Sequence, residues 1–188
     1  MLDGDLAALK ELCQFIPNRG IIVEVGSLMG KSTVALAQNV DPSVTIYAVD
    51  FFDEARTFSH SFSEADCEKY GFPRNITYNI LEEFKKNIQD YSNIKMIRGN
   101  SPSKIEYTGG TIDLLFLDAS HKNPNDLDNI EYFLRFMKNG SIISGHDYDP
   151  YKYPDVVQNV HSLELLFDRE ATYYPDSTIW SIEVNYEN

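Results

Sequence analysis

A glycine-containing loop follows the first strongly apolar run of the chain and reads Glu24-Val25-Gly26-Ser27-Leu28-Met29-Gly30. Glycine lets the backbone approach a ligand closely and adopt φ values that other residues resist. If the loop opens a helix, the free N–H groups at the helix start suit a carboxylate or a phosphate. Glycine in a strand-to-helix turn also has purely structural uses, so the loop needs a second feature to indicate a site.

Asp50 supplies this second feature, because it ends the next apolar run of the chain. A carboxylate at the end of that strand can accept hydrogen bonds from ribose hydroxyls. Two further polar residues, Asn100 and Ser101, follow the third predicted strand. Taken with Gly26, Ser27 and Gly30 of the loop, these positions predict a site for a nucleoside-containing ligand.

A second group of chemically capable residues follows the next two predicted strands: Asp118 and His121, then His146 and Asp147. Carboxylate oxygens favour Mg²⁺ or Mn²⁺, whereas a histidine-rich set favours a softer transition metal. An imidazole near the site can also accept a proton from a substrate. Two alternatives stay open, namely that His121 faces solvent at a helix start and that His146 makes only structural hydrogen bonds.

Alternating strands and helices must position these residues. We expect strands at 21–25, 44–49, 94–97, 112–117, 141–144, 171–174 and 178–184, and helices at 6–16, 31–40, 81–91, 126–137 and 155–167. This alternation predicts an α/β fold with a mostly parallel sheet and helices on both faces. Ligands on such sheets bind beyond the carboxyl ends of the strands, where both groups of residues fall.

The loop pattern Glu-x-Gly-x-x-x-Gly, with an aspartate ending the second strand, resembles the class I methyltransferases that use S-adenosylmethionine. The resemblance implies a Rossmann-like sheet of seven strands in the order 3-2-1-4-5-7-6, with strand seven antiparallel. It also implies that Glu24 and Gly26 line the methionine moiety, that Asp50 holds the ribose, and that Asn100 and Ser101 lie near the adenine.

The Asp-x-x-His pattern followed by Gly-His-Asp-Tyr resembles the metal-dependent O-methyltransferases that modify sugars of natural products. The resemblance implies that Asp118, which also borders the cofactor, and Asp147 bind a divalent metal such as Mg²⁺, and that His121 acts as the base. His146 stands where that group has an acidic ligand, and we expect it to serve as a nitrogen ligand instead. The implied reaction is O-methylation of a hydroxyl on a small molecule, of sugar or polyol type.

Composition limits the partners of the chain. Its 188 residues fit a single domain, 1–188, in which the aromatic-rich segment 51–79 is expected to be an insertion that covers the substrate. The net charge is −13, from 16 basic and 29 acidic residues, which disfavours nucleic acid and anionic membranes as partners. We therefore expect a small-molecule acceptor.

Two further expectations concern the cell. Cys13 and Cys67 lie far apart without a metal-binding spacing, and the first residues lack the pattern of a signal peptide. These features favour a cytoplasmic location. A homodimer is the default oligomeric state.

Other functions remain open from the sequence. A metal-free N- or O-methyltransferase would use the same cofactor loop without the second group of residues, and a non-catalytic cofactor-binding module would keep only the fold. A phosphate-binding P-loop is a further alternative, but it has four residues between its glycines. Gly26 and Gly30 are separated by three.

Overall fold

A computed structural model describes residues 3–59 and 75–186 of the chain. The helices in these ranges are α1 (Asp3–Cys13), α2 (Lys31–Asn39), α3 (Ile80–Ile88), α4 (Asn125–Leu134) and α5 (Pro154–Phe167). The strands are β1 (Ile21–Val25), β2 (Thr45–Asp50), β3 (Arg56–Ser59), β4 (Asn75–Tyr78), β5 (Ile94–Arg98), β6 (Ile112–Leu117), β7 (Met137–Gly145), β8 (Thr172–Tyr173) and β9 (Trp180–Glu183).

Seven of these strands form one sheet in the order β5-β2-β1-β6-β7-β9-β8. Strands β5, β2, β1, β6 and β7 are parallel, and β9 runs antiparallel to both of its neighbours. Counted along the chain within this sheet, the order is 3-2-1-4-5-7-6 with strand seven antiparallel. The predicted Rossmann-like α/β fold is therefore confirmed.

The central strands are buried on both faces, which explains their continuous apolar sequences. Consecutive residues of β1, such as Ile22 and Val23, belong to two different hydrophobic cores. The same division separates Leu114 from Leu115 in β6. Because successive side chains of a strand point to opposite faces, one core packs under α1, α2 and α3 and the other under α4 and α5.

Helix α1 begins earlier in the chain than the predicted helix at 6–16. Two acidic residues, Asp3 and Asp5, lie in its first turn, where the positive end of the helix dipole favours them. The apolar face carries Leu9 and Leu12, which are fully buried in the core shared with α2. Helix α1 is therefore part of the folded domain from its first turn.

The boundary between α4 and β7 differs from the predicted helix at 126–137. Helix α4 ends at Leu134, and Met137 already pairs with Ile112 in the sheet. The N–H of Ile112 donates to the carbonyl of Phe136 at 2.8 Å. The helix therefore ends earlier than the apolar periodicity predicts, because the following residues pair with the sheet.

The predicted insertion at 51–79 is described at its two ends only, because 60–74 lies outside the described residues. Strands β3 and β4 pair antiparallel as a separate two-stranded sheet, with Arg56 opposite Tyr78. Phe52 belongs to the domain core, since it is fully buried with its ring centroid 4.5 Å from that of Phe84. The first residues of the predicted insertion thus pack against the domain core, and its covering role stays a prediction.

None of the helices within 3–59 and 75–186 is long and apolar enough to span a bilayer. Cys13 is a free, buried thiol whose Sγ lies 3.8 Å from the carbonyl oxygen of Leu36. Burial raises the pKa of Cys13 to about 12. Cys13 therefore packs as part of the core.

The ring of Phe84 packs closely against Gly30, the residue before α2. A Cβ added at Gly30 would lie only 3.1 Å from the Phe84 ring. We expect Phe84→Ala to lower the free energy of unfolding by about 3–5 kcal/mol through loss of buried contacts and cavity formation. The matched control is Phe15→Ala on a side chain that is 64% exposed, with an expected loss of about 0.5 kcal/mol or less. Urea unfolding monitored by circular dichroism measures both, and equal losses would contradict this packing.

Candidate active site

The loop after β1 lies in direct contact with the end of β6. Gly26 has a φ of +97°, and a Cβ at this position would lie 2.0 Å from the carbonyl oxygen of Asp118. The N–H of Gly26 donates to the carbonyl of Val49, and the N–H of Asp118 donates to that of Val25. Only glycine fits this close approach, which brings the predicted cofactor loop beside Asp118.

Asp50 holds the same loop from the end of β2. Its Oδ2 accepts a hydrogen bond from the N–H of Leu28 at 2.9 Å, and its Oδ1 accepts one from the N–H of Phe52 at 3.1 Å. Leu28 has a φ of +47°, so the Asp50 carboxylate stabilises a turn that the backbone resists. The residue predicted to hold a ribose thus also organises the loop.

Glu24 lies beneath the loop and is fully buried. Burial raises the pKa of Glu24, although hydrogen bonds from the hydroxyls of Ser32, Thr33 and Ser27 lower it in part. Thr33 of α2 donates directly to Glu24 Oε2. Glu24 therefore braces the loop against α2.

A cavity of about 880 Å³ opens above the loop. Six of the predicted cofactor residues line it: Gly26, Ser27, Asp50, Asn100, Ser101 and Asp118. Glu24 and Gly30 do not line it, which differs from the expectation that Glu24 contacts the ligand. The reason is that the Glu24 side chain lies within the protein, where it contacts α2.

Asparagines of α4 support the far end of the cavity. Ser101 Oγ donates to Asn129 Oδ1 at 2.5 Å, and Asn125 Nδ2 donates to the carbonyl of Ser101 at 3.2 Å. Asn129 in turn donates to the carbonyl of Asn125 at 2.9 Å. The Asn100-Ser101 turn, predicted to lie near an adenine, is thus held against the first turns of α4.

Asp118, His121 and Asp147 converge beside the cavity. Nε2 of His121 lies 3.2 Å from Asp118 Oδ1 and 3.3 Å from Asp147 Oδ2. One donor atom from each residue lies within 4.8 Å of the other two. His121 and Asp147 have φ values of +56° and +62°, in the left-handed region that is uncommon outside glycine. Backbone strain of this kind is typical of functional sites, where the surrounding structure holds the side chains in place.

The charges of this group shift its pKa values in opposite directions. Burial lowers the pKa of His121, but the hydrogen bond to Asp118 and the charges of Asp147 and Asp118 outweigh it, so this pKa is raised. Burial raises the pKa of Asp147, but contact with His146 and the charges of His146 and His121 bring it below its usual value. The carboxylates and imidazoles therefore stabilise each other's charged forms.

His146 borders both carboxylates of this group, with its Nδ1 3.8 Å from Asp118 Oδ1, and its predicted role as a metal ligand stays a prediction. Its Nδ1 lies 3.2 Å from Asp147 Oδ1, and its Nε2 lies 3.1 Å from Asp5 Oδ2. Burial lowers the pKa of His146, but the carboxylates of Asp147, Asp118 and Asp5 outweigh burial and raise this pKa to about 9. Both ring nitrogens thus face carboxylates.

The sequence patterns did not predict several residues of the site. Asn125 and Asn129 are four positions apart on one helix face, which is a weak indication that they act together. Lys31 and Arg56 also line the cavity, although the chain is strongly acidic. Asp5 precedes the cavity residues in the chain by a long stretch, and nothing local connects it to them.

Comparison with known protein families gives one match. A family model described as a methyltransferase domain matches residues 23–148, which is more than half of the chain. The matched range includes the loop after β1, Asp50, Asp118, His121 and Asp147. No curated protein sequence matches the chain significantly.

Solved structures with the same fold include enzymes of two kinds. The O-methyltransferase NovP has a TM-score of 0.66 at 16% identity, covering 97% of this chain and 80% of NovP. CalS11, a TDP-rhamnose 3'-O-methyltransferase of calicheamicin biosynthesis, has a TM-score of 0.61 at 16% identity, covering 98% and 80%. An rRNA methylase from Streptococcus thermophilus has a TM-score of 0.63 at 18% identity, covering 95% of each chain. At these identities the likeness concerns the fold.

The contact between Glu24 and Thr33 gives a test of the loop's support. We expect Thr33→Val to lower the free energy of unfolding by about 1–3 kcal/mol, because the buried Glu24 carboxylate loses a donor. Thr33→Ser is the matched control, since it keeps the hydroxyl. Denaturant unfolding measures both variants, and a Val variant as stable as the Ser variant would contradict the bracing role of Glu24.

Proposed function

Since this chain belongs to the methyltransferase-domain family, we propose that it is an S-adenosylmethionine-dependent methyltransferase. The observation that carries this proposal is one cavity of about 880 Å³. It brings together the loop residues Gly26 and Ser27, the strand-end carboxylate of Asp50, and the turn at Asn100 and Ser101. These are the positions that the resemblance assigns to the methionine, ribose and adenine parts of the cofactor.

The polar groups of the cavity suit this cofactor. Ser27 is buried and lines the cavity, so its hydroxyl can form a hydrogen bond with a polar group of a ligand. Each oxygen of Asp50 accepts one backbone N–H, and a carboxylate oxygen can accept a second hydrogen bond. Asp50 can therefore hold ribose hydroxyls while it keeps the loop in place.

We propose a hydroxyl oxygen as the methyl acceptor. When bound, the cofactor would supply an electrophilic methyl group, which the acceptor oxygen would displace from sulfur while sulfur keeps the electron pair of the broken bond. His121 lies at the edge of the cavity beside Asp118, and its imidazole would accept the proton of the hydroxyl. The protein contributes by aligning the two reactants and by accepting this proton.

Asp118, Asp147 and His121 form a donor set that fits a divalent cation, because their donor atoms lie within 4.8 Å of one another. We propose that the two carboxylates hold Mg²⁺ or a similar ion. When bound, the ion would polarise the acceptor hydroxyl and offset the carboxylate charge that raises the pKa of His121. His146 is not part of this proposed donor set, and its Nδ1 contacts the carboxylate of Asp147.

The proposed acceptor is a small molecule of sugar or polyol type. NovP and CalS11 are O-methyltransferases, and CalS11 is described as acting on TDP-rhamnose. The rRNA methylase from Streptococcus thermophilus matches the length of this chain more closely, which makes RNA the second candidate. The net charge of −13 opposes RNA, since association with phosphates depends on basic residues.

We further propose that residues 1–188 form a single domain in which the 51–79 segment borders the acceptor. Phe51, Asp53 and Arg56, all from the start of this segment, line the cavity. Phe51 is 54% exposed, so a large aromatic surface is available to a ligand. A cytoplasmic location suits the buried free thiol of Cys13.

Calorimetric titration with S-adenosylhomocysteine tests the cofactor proposal. We expect wild-type protein to bind it, and Asp50→Ala to bind at least about tenfold more weakly through loss of charge-assisted hydrogen bonds. The control is Asp90→Ala, which removes an exposed carboxylate that does not line the cavity. Absence of binding to wild-type protein, or equal binding by the Asp50 variant, would contradict the proposed site.

Titration with Mn²⁺ tests the metal proposal separately. We expect Asp147→Asn to abolish Mn²⁺ binding, because it removes one of two carboxylate ligands. Asp149→Asn is the matched control, since its remaining side-chain oxygen can still accept the backbone hydrogen bonds of Tyr151 and Lys152. Electron paramagnetic resonance measures free Mn²⁺ in both.

His121→Gln distinguishes the base from a ligand in the same experiment. If His121 is a base and not a ligand, we expect His121→Gln to bind Mn²⁺ as the wild type does. Loss of Mn²⁺ binding in this variant would make His121 a ligand. Turnover is then measured as S-adenosylhomocysteine release with a panel of sugar acceptors. An effect of the His121 variant on turnover of about 10²–10⁴-fold is expected for a general base.

A further inference from the structure

A buried carboxylate from the first turn of the N-terminal helix reaches the candidate active site. Asp5 is only 2% exposed, and its Oδ2 lies 3.1 Å from Nε2 of His146. The sequence patterns do not single out Asp5. It also lies outside the range matched by the family model, which begins at residue 23. A buried carboxylate is costly unless it is paired, so its position against His146 calls for a role.

The loop between β8 and β9 holds Asp5 in place. Ser177 Oγ donates to Asp5 Oδ1 at 2.7 Å and accepts a hydrogen bond from the N–H of Ile179 at 2.9 Å. The backbones also touch, since a Cβ on Gly4 would lie 2.0 Å from the carbonyl oxygen of Asp176. Two separate elements therefore determine where the Asp5 carboxylate lies.

The same loop holds Asp147. The N–H of Asp147 donates to Thr178 Oγ1 at 3.1 Å, and the N–H of Tyr148 donates to the carbonyl of Thr178 at 2.9 Å. Ser177 and Thr178 thus position the carboxylates on the two sides of His146. The His146 ring lies between them, with Nε2 toward Asp5 and Nδ1 toward Asp147 at 3.2 Å.

We infer that Asp5 is a positioning residue: it holds the His146 ring against Asp147, so that His146 orients the Asp118–His121–Asp147 group and is not one of its ligands. Nε2 of the ring faces Asp5 at 3.1 Å, and Nδ1 faces the carboxylates of Asp147 and Asp118 at 3.2 and 3.8 Å. Residues that orient a ligand carboxylate contribute to metal affinity without contacting the ion. The part of this inference that concerns a metal rests on the proposed function.

The first experiment needs no metal and no acceptor. Protein labelled with ¹⁵N-histidine is compared as wild type, Asp5→Asn and Glu11→Gln, at one pH, with His146→Gln used to assign the His146 ring signals. We expect Asp5→Asn to move both ring nitrogen signals of His146, and Glu11→Gln, a matched loss of charge on an exposed position of the same helix, to leave them in place. Unmoved His146 signals in a folded Asp5→Asn protein would overturn the inference.

Ser177→Ala provides a second variant if Asp5→Asn does not fold. It keeps the Asp5 charge and removes the hydroxyl that holds it. We expect a smaller movement of the same His146 signals, whereas a merely structural loss of stability would leave the ring signals of the folded protein unchanged. Unchanged signals would count against the positioning role.

Mn²⁺ titration then tests how His146 acts. We expect Asp5→Asn and His146→Gln each to weaken Mn²⁺ binding by about tenfold, as for groups that orient a ligand, while Asp147→Asn abolishes it. Loss of binding in His146→Gln as complete as in Asp147→Asn would make His146 a ligand and overturn the inference. If wild-type protein binds no Mn²⁺, the metal proposal fails, and the histidine signals alone decide the role of Asp5.

Discussion

The close contact between Gly26 and Asp118 is the constraint on which the site depends. The backbone of the loop after β1 lies against the backbone at the end of β6, with no room for a Cβ. Hydrogen bonds from Gly26 to Val49 and from Asp118 to Val25 join three strand ends at this point. Because the strand order reverses between β1 and β6, the contact lies where ligands of such sheets bind. The cofactor loop and the acidic group therefore share one edge.

Charge balance is the second organising feature of the site. Asp5, Asp118 and Asp147 surround two imidazoles, those of His121 and His146, in a largely buried region. Removing one member of such a group leaves the others with uncompensated charge, which is costly in a low-dielectric environment. The raised pKa values of the histidines and the lowered pKa of Asp147 follow from this mutual stabilisation. The group behaves as one electrostatic unit connected to α1.

Local patterns predicted most of the strands, because buried parallel strands carry continuous β-branched and apolar runs. The strand order came from the resemblance of the loop at Glu24–Gly30 to a family, and the structure has that order. Predictions were less accurate where long-range pairing competes with local periodicity. Met137 joined the sheet instead of α4, and Phe52, within the aromatic-rich segment, is buried in the core.

Residue types at the strand ends were determined by the sequence alone. Gly26, Asp50 and Asp118 follow apolar runs directly, and parallel strands necessarily bring their carboxyl ends to one edge. The direction of each side chain was decided by the tertiary structure: Glu24 turns inward toward Thr33, and His146 turns toward Asp5. Periodicity describes which face a residue occupies within its own element. It carries no information on which remote segment packs there, and the pairing of buried charges depends on that packing.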